Sequence, residues 1–178
     1  MERIKERSMT TYIVSSLLNA GIGLAVGLIV GIILAIIYDS AYMILTNCMI
    51  FTAIFALYTA NMYRIYFYYR LSMDVNAVCE GDGVQSASYT VAAILSFLTL
   101  GIYNLFWLYR LAQRVKVNAP RYGFKIVEGG KDIVVLNVLS FGFAGAYEMI
   151  KNMNRIAKVY NRSGLAPIAD ESLFGGVQ

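Results

Sequence analysis

At 178 residues the chain has the length of one ordinary domain, yet 58% of it is hydrophobic and only 15% charged, a balance that excludes an ordinary water-soluble core. The formal net charge of +4 comes from clusters beside apolar runs, Arg3/Lys5/Arg7, Arg110/Arg114/Lys116 and Lys151/Arg155/Lys158, which suit anionic lipid headgroups better than nucleic acid. The chain contains no histidine, which excludes Ser-His-Asp and Cys-His nucleophile systems and His-ligated metal sites.

Charged residues are segregated along the chain. None falls between Arg7 and Asp39, between Asp39 and Arg64, or between Asp82 and Arg110, and gaps of that length accommodate membrane helices. The first apolar run, Tyr12 to Ile37, is too long for a signal core of ~7–15 residues and has no Ala-x-Ala site before Asp39, so it is expected to remain as a signal anchor. Asp39 and Ser40 form a short polar break. A second span, Tyr42 to Ala60, ends in an aromatic stretch of Tyr63, Tyr66, Phe67, Tyr68 and Tyr69 that reads as an interfacial belt. The two runs are expected to form a transmembrane hairpin. Cys48 and Cys79 lack the spacing of a disulfide framework and read as ordinary thiols.

In the first span Ser15, Asn19, Gly23, Gly27, Gly31 and Ala35 recur at every fourth position. Small residues at that step let helix backbones approach closely in lipid, either against the second span over Ala53, Ala56 and Ala60 or against another chain. Asn19 is positioned to add an interhelical hydrogen bond.

Beyond the hairpin the chain repeats itself. A slide of 40 places Ala53, Ile54, Thr59, Tyr63, Tyr69, Arg70, Leu71 and Val75 on identical residues from Ala93 to Val115. A slide of 41 places Leu95, Gly101, Arg114, Arg121 and Gly123 on Leu136, Gly142, Arg155, Arg162 and Gly164, with Thr99 facing Ser140. Periods near 40 residues mark repeated supersecondary units. Each unit reads as an apolar helix, a Thr/Ser-centred break, and a second helix that turns basic and amphipathic. The expected fold is all-α and membrane-embedded: a signal-anchor helix over residues 1–40, a second span with an acidic loop over 41–88, membrane units over 89–131 and 132–162, and a flexible tail over 163–178.

The run Thr99-Leu100-Gly101-Ile102-Tyr103, followed by Phe106-Trp107 and Tyr109-Arg110, resembles the hallmark of an uncharacterised bacterial membrane family, domain of unknown function 4234. The resemblance is best from Ala92 to Val117. Tyr63 and Tyr69 keep part of the motif, whereas Ala144 and Glu148 replace its Tyr and Trp in the last unit. It implies a membrane protein and carries no activity.

Basic residues favour cytoplasmic flanks, so Arg3/Lys5/Arg7 place the N-terminus inside, and a two-span hairpin returns Arg64 and Arg70 to that side. A full third crossing would put the most basic loop, from Arg110 to Lys131, outside. Units that dip in and return, turning near Gly101 and Gly142, avoid that conflict. The fourth segment has only 15 uncharged residues, Ile133 to Tyr147, short for a span.

Arg70, Arg110, Arg114, Lys116, Lys151 and Arg155 read as interfacial anchors, with anionic headgroup recognition as their functional version. Glu148 reads as an interfacial partner of Lys151 or Asn152 rather than an ion site. Asp74, Glu80 and Asp82 lack the spacing of a calcium loop, and Gly21-Ile22-Gly23 opens no phosphate-binding turn. No catalytic, metal or cofactor residues are expected. The functional expectation is a multipass cell-membrane scaffold or accessory subunit that self-associates or packs on another membrane subunit. The alternative is an oligomeric pore or transporter subunit lined by Asn47, Asn104, Asn137 and Glu148.

Overall fold

The computed structural model describes residues 3–38 and 41–163, so Asp39, Ser40 and the tail beyond Ser163 lie outside the described residues. Every regular element among those described is helical: α1 (Met9–Tyr38), α2 (Ala41–Val78), α3 (Tyr89–Leu98), α4 (Ile102–Asn118), a 3-10 turn (Ala119–Tyr122), α5 (Gly130–Leu139) and α6 (Phe143–Ser163). Two stretches are long and apolar enough to cross a membrane, Met9–Ile37 and Thr46–Val78. The chain divides into two compact units, one from Met9 to Tyr68 and one formed by the residues up to Ser8 together with those from Tyr69 onward.

The first unit is an antiparallel helix pair. Tyr12 meets Tyr63 and Phe67 with ring centroids 5.9 and 4.7 Å apart. Further along α1, Gly23 lies against Phe55 and Thr59, Gly27 against Phe51 and Thr52, and Gly31 against Cys48. The partner numbers fall steadily as α1 advances. A Cβ on Gly27 would stand 2.5 Å from Thr52 Cα, and one on Gly31 2.5 Å from Cys48 Cα. Such approach of backbone to backbone admits only glycine. The small-residue stripe therefore faces α2 within the chain, through Cys48, Thr52, Phe55 and Thr59, whereas Ala53 is exposed. The Asn19 Nδ2 donates to Ser15 O, one turn back in α1, at 2.8 Å, and among the described residues it makes no bond to α2. The opposite face of α1 exposes Leu17, Leu18, Ile29, Ile36 and Ile37.

The second unit is a helical head. Its core joins the last turns of α2 (Leu71, Val75, Val78) to Leu108 and Leu111 of α4, Ile133 of α5, and Met149, Met153 and Ile156 of α6, all almost fully buried. This burial assigns the end of α2 to the head and not, as its apolar sequence suggests, wholly to the hairpin. Burial also shows where the apolar faces of α4 and α6 go. Their apolar stripes, at the i, i+3, i+4 spacing of one helix face, are consumed by the head's own core.

The two motif-bearing units share one design. In each, a ten-residue helix ends in a Thr or Ser, a large apolar residue follows at positive φ, and a glycine at positive φ opens the next helix. Leu100 and Gly101 have φ of 50° and 90°; Phe141 and Gly142 have 52° and 97°. The Thr99 Oγ1 donates to Leu95 O at 2.8 Å and accepts from Tyr103 N at 3.0 Å. Ser140 Oγ does the same for Leu136 O and Ala144 N, at 2.6 and 2.7 Å. Gly101 N reaches Ser96 O, and Gly142 N reaches Asn137 O, both at 2.7 Å. One hydroxyl thus closes both sides of the turn, which is why the repeat places Thr or Ser there.

Candidate functional site

The breaks are hairpin tips. Trp107 Nε1 donates to Ala87 O at 2.9 Å and its ring meets Tyr89 at 4.9 Å, so α4 folds back along α3. The chain then returns along α4: Lys116 Nζ donates to Val127 O, Gly129 lies beside Lys116 and Gln113, and Gly130 packs on Tyr109. Partner numbers on α4 fall as the chain enters α5, so α5 runs antiparallel to α4 and its end returns toward the start of α4. The Leu100 and Phe141 turns consequently lie at the same end of the head. There Leu100 is 95% exposed and Phe141 86%, flanked by exposed Phe97, Leu98, Leu139 and Ile102. A large L-residue in the left-handed region costs about 1–2 kcal/mol, so both turns hold an oily side chain outward against the backbone's preference.

Away from the tips the head is polar and charged. Arg114, one turn before the end of α4, extends a bidentate fork to Asp82, with Nε to Oδ2 at 2.7 Å and Nη2 to Oδ1 at 2.9 Å. The same guanidinium donates to Asn76 Oδ1, to Ser86 Oγ at 3.0 Å and to Cys79 O at 3.3 Å. Asn118 Nδ2 adds a bond to Asp82 Oδ2 at 3.0 Å. Burial alone would raise the Asp82 carboxyl, but the Arg114 hydrogen bonds and charge, the Val84 amide and Asn118 outweigh it and hold the group below its ordinary value. Nearby, burial pushes the Cys79 thiol up to about 12. Arg114 is therefore corrected from a snorkelling anchor to the buried centre of a network that fastens the loop after α2 to α4.

Beside this network opens a cavity of about 560 Å3 lined by Asp82, Val84, Tyr109, Arg110, Arg114 and Arg121, among others. Three arginines face one aspartate, so its wall is net cationic and otherwise apolar. Arg110 is exposed, with its guanidinium 5.7 Å from the Phe106 ring centre.

The other residues singled out by sequence are spread over the head. Thr99, Gly101 and Tyr103 build the first tip, Trp107 latches it, and Tyr109 and Arg110 lie two turns further on at the cavity. Lys116 closes the loop to α5. Glu148, in α6, pairs with Lys151 at 2.9 Å, and Arg155 lies over the Phe124 ring at 4.5 Å. Arg70 is half-buried on α2. Asn137 is buried at the α5–α6 turn against Gly145.

Sequence reasoning missed the asparagine clamps. Asn161 accepts from Ile4 N at 3.0 Å and donates to Ile4 O at 2.8 Å. Asn154, two turns earlier, pairs the same way with Arg7 N and O at 2.8 and 2.6 Å, while Arg7 pairs with Asp74. These bonds bind the segment before α1 to α6 and to the end of α2. Asparagines on an otherwise apolar-and-basic helix were the available signal, since a side-chain amide matches both groups of an extended residue.

What these features define is an all-helical chain with a long apolar helix pair in one unit and, in the other, repeated helix-turn-helix pairs with oily tips and a cationic flank. The family profile described as Domain of unknown function (DUF4234) matches it twice, over residues 47–117 and 87–158, and the chain belongs to that family. The two matches begin 40 residues apart, which is the internal period. Comparison with curated proteins gave no match, and comparison with solved structures gave none.

Proposed function

We propose that this chain is a small multipass membrane protein that acts as a scaffold or accessory subunit of a membrane assembly. The α1–α2 pair crosses the bilayer and the head holds the interface. The observation that carries this reading is the meeting of both chain ends that flank the helix pair. Ile4 and Arg7 are fastened to α6, and Arg7 to Asp74 near the end of α2. A pair whose two ends are tied to one unit crosses an even number of times, and the basic N-terminal residues assign that side to the cytoplasm. The exposed aliphatic face of α1 supports a lipid environment, since water would disfavour so large an apolar surface. The cavity residues Arg110 and Arg121 suit anionic headgroups.

Of the polar groups that a pore would need, Glu148 is engaged by Lys151, and Asn137 is buried against Gly145 at the α5–α6 turn. Reconstitution into liposomes with crosslinking and ion-flux assays tests the reading. Crosslinked assemblies without conductance support the scaffold; reproducible conductance that changes in Glu148→Gln contradicts it.

A further inference from the structure

We infer that the Leu100 and Phe141 turns form a two-pronged wedge that enters the hydrocarbon of a single leaflet and stops at the ring of charge behind them. The inference deepens the membrane reading above and rests on it. Four independent features of the head converge on lipid as the occupant.

The prongs carry the wrong residues for water. Exposed hairpin tips in water favour Gly, Asn and Asp, which reach positive φ readily, yet the outermost residues here are Leu100 and Phe141, with Phe97 and Leu139 beside them. Two repeats that differ elsewhere share this choice.

Most amides of the two turns are already partnered. Irregular backbone enters hydrocarbon only when its polar groups find partners. The amides of Thr99, Gly101, Ile102 and Tyr103 each have an acceptor inside the turn, as do those of Ser140, Gly142, Phe143 and Ala144. The Thr99 and Ser140 hydroxyls do what water would otherwise do.

The lengths match one leaflet and no more. Helices α3 and α5 have ten residues each, about 15 Å at 1.5 Å per residue, against a hydrocarbon core of ~30 Å. Behind the tips, the first charged residues are Arg110 on α4, Asp132 on α5, and Glu148 and Lys151 on α6. Counted from the turns, each prong is charge-free for about 8–12 Å.

Finally, the charge at that depth suits a headgroup layer. Arg110 stands exposed at the end of the charge-free stretch of α4, next to the cationic cavity, where phosphate oxygens would lie once the tips are immersed. The order of oil, then arginine, holds on the first prong; on the second, oil gives way to Asp132 and to the Glu148–Lys151 pair.

The test uses full-length protein in phosphatidylcholine/phosphatidylglycerol vesicles, with Cys48→Ala and Cys79→Ala as background and spin labels on single cysteines. Leu100→Cys and Phe141→Cys probe the prongs; Leu28→Cys on α1 and Gln85→Cys in the loop are the controls. Collision with oxygen several-fold above collision with a water-soluble nickel chelate at positions 100, 141 and 28, and the reverse at 85, is the expected result. Aqueous readings at 100 and 141 with position 28 still deep overturn the wedge alone. Shielding of 100 and 141 from both reagents overturns it in favour of a protein covering the tips. An aqueous reading at position 28 as well removes the membrane reading and the wedge with it.

Discussion

Gly101 and Asn61 hold equivalent places one 40-residue period apart, and the chain turns at one and runs straight through the other. Gly101 sits at φ 90° between α3 and α4, whereas Asn61 lies inside α2 and donates from Nδ2 to Leu57 O at 2.7 Å. The preceding threonines behave alike: Thr59 Oγ1 donates to Phe55 O and Thr99 Oγ1 to Leu95 O, both at 2.8 Å. The difference between a straight helix and a hairpin tip therefore tracks the glycine, because the left-handed turn is cheap for glycine and costly for other residues.

A Gly101→Ala substitution follows from this. Nothing lies within 4 Å of an added Cβ, so the cost is conformational, about 1–2 kcal/mol. The head should unfold at lower denaturant concentration in detergent, with helix content by circular dichroism preserved or raised. Gly142→Ala should act in the same direction.

The hairpin responds to bulk. Gly27→Leu forces a side chain onto the Phe51–Thr52 backbone, and overpacking of that kind costs typically 1–3 kcal/mol. In a Cys48→Ala background, crosslinking between cysteines introduced at Tyr12 and Phe67, whose rings meet at 4.7 Å, should fall in Gly27→Leu, whereas a leucine at Gly21, where the space is open, should leave it intact.

Arg114 and Asp82 act as one unit. Arg114→Ala leaves the Asp82 carboxylate, 12% exposed, without its fork, and breaking such a pair costs about 3–5 kcal/mol. Removing both charges with Arg114→Met and Asp82→Leu should cost less than either change alone, as a double-mutant cycle by thermal unfolding would read. Because the folded Asp82 carboxyl is held below its unfolded value of 3.8, its contribution is complete above about pH 4 and declines as pH falls through the folded value. Asp82→Asn should flatten that acid limb.

Thiol chemistry separates the two cysteines. Cys79 is fully buried and its thiol is pushed up to about 12, first by burial, so iodoacetamide at pH 8 should leave it unmodified in folded protein. Mass spectrometry should find the label at Cys79 only after denaturation.

How much of this was legible beforehand varies with the range of the interaction. The two long apolar runs, the period of 40, and the turning points at Gly101 and Gly142 are local patterns, and a linear sequence displays them directly. The glycine stripe was legible as a packing surface, but its partner face, Cys48, Thr52, Phe55 and Thr59, was not, because several faces of an apolar helix look alike. Helices α4 and α6 were legible as amphipathic without revealing that their apolar faces meet one another and the end of α2. The Arg114–Asp82 fork spans 32 positions and the Asn161 clamp on Ile4 spans 157. No periodicity encodes pairings at that range; they follow only once the repeats have been folded onto each other.

The dip-and-return geometry is tested most directly by the sidedness of the loops before α3 and after α4. Single cysteines at Gln85 and Lys125, both exposed, should react with a membrane-impermeant maleimide from the same face of sealed vesicles. Labelling from opposite faces would mean that the α3–α4 segment crosses the bilayer, and would contradict the account.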